Sequence, residues 1–85
     1  MINDKEFLAK NSITSMAAIH IKTYEDERQE YRFRISDCNQ TAKIWGKIND
    51  SQQLAEGIET METIIKMATK LKDRLRTLQI RHNSL

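Results

Sequence analysis

Proline is absent from this chain, glycine occurs only at positions 46 and 57, and cysteine only at 38. Each scarcity removes a class of protein. Without clustered glycines there is no phosphate-cradling loop, which needs several residues free of a Cβ. A single cysteine makes no internal disulfide, and Cys38, His20 and His82 stand in no zinc-ligand spacing. No apolar run nears the ~20 residues of a membrane span, and the opening stretch MINDKEFLAKNS lacks the core of a signal peptide. A lone thiol suits a reducing compartment, so a cytoplasmic location without membrane association is expected. Fourteen Lys and Arg against twelve Asp and Glu leave a net charge of +2, far from the excess of dedicated nucleic-acid binders. Charge alone names no partner.

Catalytic groups are also scarce. Two histidines and one cysteine are too few and too scattered for a nucleophile and its base. Cys38 lies beside Asp37, and a neighbouring carboxylate raises a thiol pKa rather than activating it. The other carboxylates fall on turns and on a helix surface, where Glu62 and Lys66 make an ordinary i,i+4 pair. The expectation is a non-enzymatic protein with no cofactor, no metal and no small-molecule substrate.

What is present is pattern. Over residues 16–48 the chain alternates with period two. Ala17, Ile19 and Ile21 alternate with Ala18, His20 and Lys22; Tyr31, Phe33 and Ile35 with Arg32, Arg34 and Ser36. Ala42, Ile44, Gly46 and Ile48 alternate with Lys43, Trp45 and Lys47. Such alternation places one set on a buried face and the other towards solvent. The polar segments 25–29 and 36–40 are short enough for hairpins, which predicts a three-stranded antiparallel meander within 13–49.

From residue 50 the period becomes helical. Asp50 is a candidate N-cap with Gln53 three residues on. Apolar positions then step by three and four through Leu54, Gly57, Met61, Ile64, Ala68, Leu71, Leu75 and Leu78 to His82, widened early by Ile58 and Ile65. Glu56, Glu59 and Glu62 lead and Lys66, Lys70, Lys72, Arg74, Arg76 and Arg81 follow, in keeping with the helix dipole. One long amphipathic helix over 50–82 is predicted. For residues 1–12 two readings compete. Asn3 as N-cap, Glu6 in a capping box and an Ile2–Phe7 staple describe a short helix over 2–10; a loose terminus is the other.

The resulting fold class is α+β in a single domain, and its proportions imply company. A chain of 85 residues buries only about 60–65% of its unfolded surface, so a monomer is marginal. The helix is ~48 Å long against ~23 Å for a seven-residue strand. Its early half suits the sheet face of Ile19, Ile21, Phe33 and Ile44. Its later half narrows to the two-per-seven seam of a coiled coil. Ile64, Ala68, Leu71, Leu75 and Leu78 are therefore the candidate homodimer interface, the alternative being that Phe7 and Leu8 fold over them. The opposite sheet face gathers Lys22, Arg32, Arg34, Lys43, Trp45 and Lys47, a cationic surface with an aromatic. That is a candidate site for nucleic acid or for a protein partner of unknown identity. No motif carries a family resemblance. Short chains without motifs are frequent among phage and prophage accessory proteins, an analogy of size alone.

Overall fold

In a computed structural model of the chain, residues 1–8, 17–37 and 39–84 are described. They form two compact units, Met1–Leu54 and Ala55–Leu85. The first is an antiparallel sheet of four strands in sequence order, β1 (Asn3–Phe7), β2 (Ala18–Tyr24), β3 (Glu30–Ser36) and β4 (Thr41–Lys47). It leads into one helix, α1 (Ser51–Asn83). The α+β class holds; the strand count is four rather than three.

The fourth strand is the N-terminal segment. Asn3–Phe7 pairs with β2, Asn3 against Lys22 and Phe7 against Ala18. The pairing continues past the strand ends: the Thr23 amide donates to the Ile2 carbonyl at 3.0 Å and the Leu8 amide to the Ala17 carbonyl at 2.8 Å. Both readings of the terminus, the short helix over 2–10 and the loose end, thus give way to a strand wherever these residues are described, and Asn3, Glu6 and Phe7 serve that strand rather than a cap and staple. The physical reason is length. A two-turn helix is marginal alone, whereas the open edge of β2 offers a row of unpaired amides and carbonyls. Residues 9–16 and Cys38 lie outside the described residues, and with them the end of that helix, the start of the expected meander and the cysteine.

β2, β3 and β4 follow the alternation. Ile19, Ile35 and Ala42 align in one row across the sheet, and Ile21, Phe33 and Ile44 in the next. In the third row Tyr31 stands opposite Gly46. A Cβ at Gly46 would lie 2.7 Å from Tyr31 Cε1, so the glycine is what lets the ring lie across β4. β1 contributes Asp4 and Glu6 beside Ile21 and Ile19, which puts carboxylates at the edge of the apolar face.

Side chains close both connections. Asp26 Oδ1 accepts the Arg28 amide at 2.9 Å, and the Gln29 amide group donates to the Glu25 and Asp26 carbonyls. Gln29 takes a left-handed backbone, φ 45°, a cost that these two side-chain bonds offset. In the second turn Asp37 Oδ1 accepts the amides of Asn39 and Gln40 at 2.8 and 2.7 Å. Those two bonds hold the Asp37 carboxyl below its ordinary pKa.

α1 begins as its sequence predicts. Asp50 Oδ1 accepts the Gln53 amide at 2.8 Å, and the Gln53 side chain returns to the Asn49 amide at 2.8 Å, one residue earlier than the usual capping box. Arg81 and His82 occupy its last turn, at the negative end of the dipole. No described helix is long and apolar enough to cross a membrane.

Candidate functional site

The register that lines up the apolar rows lines up charges on the other face. Lys5, His20, Arg34 and Lys43 form one row, and Asn3, Lys22, Arg32 and Trp45 the next. Tyr24, Glu30 and Lys47 form a third. The surface is concave, a groove of about 430 Å³ lined by His20, Lys22, Tyr24, Glu30, Arg32, Phe33, Arg34, Lys43 and Trp45. Its lining carries four cations against one acid, more net positive charge than the whole chain at +2. Charge that is nearly balanced overall is segregated here.

Two networks hold the groove. At one side Tyr24 is buried, with Arg28, Arg32 and Lys22 lying 3.7, 4.7 and 5.1 Å from its ring centre. A hydrogen bond with Lys22, followed by the charges of Arg32, Lys22 and Arg28, lowers the Tyr24 pKa despite its burial. Glu30, also buried, accepts from Arg32 at 3.2 Å and answers part of that charge. Arg28 is held in turn by Asp26 at 2.7 Å, and that guanidinium keeps the Asp26 carboxyl at about 2. The phenol is thus a platform with cations fixed around it.

At the other side His20 bridges two strands. Its Nδ1 lies 2.9 Å from the Arg34 guanidinium and its Nε2 2.8 Å from Asn3 Oδ1. Arginine has no acceptor atom, so Nδ1 must carry the lone pair. With Nδ1 accepting from Arg34, Nε2–H donates to Asn3 Oδ1. This chain of bonds orients Arg34 across the groove and ties β1 to β3 through β2.

Of the residues expected on this face, Lys22, Arg32, Arg34, Lys43 and Trp45 line the groove together. Lys47 does not line it; its Nζ donates to the Arg28 carbonyl at 3.1 Å, at the first turn. Trp45 is 61% exposed on the edge strand β4, a broad ring open to a partner. Sequence reasoning misses Asn3 and Lys5, because residues 2–10 fit a short helix or a loose terminus and not a strand, and it misses the pairing of Glu30 with Arg32.

The second candidate surface is the seam of α1. None of the helix is buried, and Leu71, Leu75 and Leu78 are 61, 56 and 38% exposed. Ile64 and Ala68 continue the same line, so all five expected residues share one face of an unbroken helix. The chain matches no known protein-family model, no curated protein and no solved structure at a significant level.

Proposed function

We propose that this chain is a small non-enzymatic interaction protein, homodimeric through α1, that binds another macromolecule in the cytoplasm. The observation behind it is the seam: from Leu54 to Leu78 apolar or small side chains recur at alternating steps of three and four, with His82 at the next position, on a helix without a break. That is the repeat of a coiled coil, sustained for four heptads. Each exposed leucine left in water forfeits about 1.5–3 kcal/mol, a large share of the stability available to a chain this small. A second copy of the same helix covers the seam at no cost in new sequence. Light scattering behind gel filtration tests it: a 20 kDa species is expected, and a 10 kDa species at tens of micromolar would refute the dimer.

The groove favours a specific macromolecule. Fixed cations beside an open indole are the combination with which sheet surfaces neutralise phosphates and stack unpaired bases. The second reading is accordingly a nucleic-acid-binding accessory protein that uses Lys22, Arg32, Arg34, Lys43 and Trp45, with Lys47 at the margin. Titration of labelled single- and double-stranded oligonucleotides at two salt concentrations tests this reading. Binding should weaken as salt rises, and affinity that survives Arg32→Ala, Arg34→Ala and Trp45→Ala together refutes the sheet-face site.

A further inference from the structure

Three properties of α1 bear on how two copies would meet, and all three select the same arrangement. The first is charge. Residues 51–69 carry Glu56, Glu59 and Glu62 and one cation, Lys66; residues 70–84 carry five Lys or Arg and one acid, Asp73. The halves are therefore −2 and +4. A parallel pair sets like half beside like half along the whole length, and an antiparallel pair sets each half beside its opposite.

The second is volume. In the heptad register of the seam, Leu54, Met61, Ala68, Leu75 and His82 are one set of core positions and Gly57, Ile64, Leu71 and Leu78 the other. A parallel pair stacks each residue on its own copy, so Gly57 meets Gly57 and Ala68 meets Ala68, leaving two voids, while His82 meets His82. An antiparallel pair matches one set with the other. Centred between Ala68 and Leu71, it places Ala68 against Leu71, Ile64 against Leu75, Met61 against Leu78 and Gly57 against His82. Every small residue then faces a large one, which is how core layers fill without cavities.

The third is the flanks. Beside the seam the early half carries Ile58, Thr60, Ile65 and Met67, and the late half Lys72, Arg74, Gln79 and Arg81. In the same antiparallel register Ile65 neighbours Lys72, Met67 neighbours Arg74, and Thr60 neighbours Arg81. The broad apolar shoulder of one helix is then roofed by long aliphatic stems from the other, whose charged ends reach water. This explains why the stripe is wide where it begins and narrow where it ends: each half is shaped for the other.

We infer that the partner of α1 is a second copy of α1 running antiparallel, with the two-fold axis between Ala68 and Leu71. The inference rests on the proposed dimer and is separable from it. In a Cys38→Ser background, chains bearing Met61→Cys are mixed with chains bearing Leu78→Cys, oxidised, and analysed by mass spectrometry of the linked peptides. Light scattering on the unoxidised mixture gives the oligomeric state. The expected result is a dimer in which position 61 of one chain is linked to position 78 of the other, at least tenfold over 61–61 and 78–78 links. A dimer that gives the like-to-like links, or none, overturns the antiparallel register and leaves the dimer standing. A monomer overturns both. Because the two substitutions trim the seam itself, a spin label at the exposed position 59 (Glu59→Cys in the same background) supplies a reading that leaves the core intact. The antiparallel pair separates the two labels by more than about 30 Å along the axis, and a parallel pair sets them abreast, within about 20 Å.

Discussion

The groove face of the sheet and the seam of α1 are both exposed, and they are exposed on different terms. In the groove most polar groups already have partners: His20 sits between Asn3 and Arg34, Glu30 accepts from Arg32, and Tyr24 lies among three cations. Such a surface stands in water at little cost and is suited to a ligand that comes and goes. Along its own helix the seam has little remedy, since apolar neighbours three or four residues apart contribute only about 0.2–0.5 kcal/mol per pair. It is suited to a partner that stays. On the proposed function, the contrast separates a recognition surface from an assembly surface within one short chain.

The strongest way to break that contrast is to charge the seam. If the proposed dimer forms through the seam, Leu71→Asp with Leu75→Asp should convert it to a monomer and lower the thermal midpoint by well over 10 °C, read by light scattering and calorimetry. If the assembly survives, the seam is not what holds it. Next in size is the groove. On the nucleic-acid reading, Trp45→Ala should weaken binding of a single-stranded oligonucleotide about tenfold or more at fixed salt, because stacking on one ring contributes about 1–3 kcal/mol per base. It should leave the oligomeric state unchanged. Equal loss of dimer and of binding would mean that the two surfaces are one.

A smaller effect is expected inside the sheet. Gly46→Ala puts a Cβ where the Tyr31 ring now lies, 2.7 Å from its Cε1. Turning the half-exposed ring aside is partly offset by the ~0.5–1 kcal/mol that Ala gains over Gly in a strand, so a fall of at most about 1 kcal/mol is expected, visible in the denaturant midpoint at unchanged slope. Smallest of all is the first turn. Asp26 is held at about 2, against 3.8 for an unconstrained carboxyl. A depressed carboxyl contributes its stability in full above the unfolded value and loses it as pH falls through the folded one. The Asp26–Arg28 contribution should therefore fade between pH 3.8 and about 2. Asp26→Asn should remove that part of the acid dependence and lower the midpoint slightly at pH 6–8, the two proteins converging as pH falls towards about 2.

Which parts of this were legible in the residues follows from where the deciding interactions lie. β2, β3, β4 and α1 are each declared by their own periodicity, and Asp50 caps α1 from three residues away. β1 was not legible, because NDKEF satisfies a capping template locally and becomes a strand only through amides and carbonyls 11 to 19 positions along the chain. The same cause hid part of the groove. Lys22, Arg32, Arg34, Lys43 and Trp45 share a face by alternation alone. Asn3 and Lys5 join it only once β1 is known to be a strand. Arg28 reaches Tyr24 from a turn, where no period applies. The available signal was the alternation of Asn3, Lys5 and Phe7 with Asp4 and Glu6, too short to outweigh a helix template.

The in-order meander has a further effect on how the molecule behaves in a crowded solution. A sheet of four strands has two outer borders, here β1 and β4, and any such border can recruit another chain into an endless ribbon. Both are studded with charge: Asp4, Lys5 and Glu6 on one, Lys43 and Lys47 on the other. Stacking copies edge to edge would crowd and desolvate these groups, so the borders resist fibril growth.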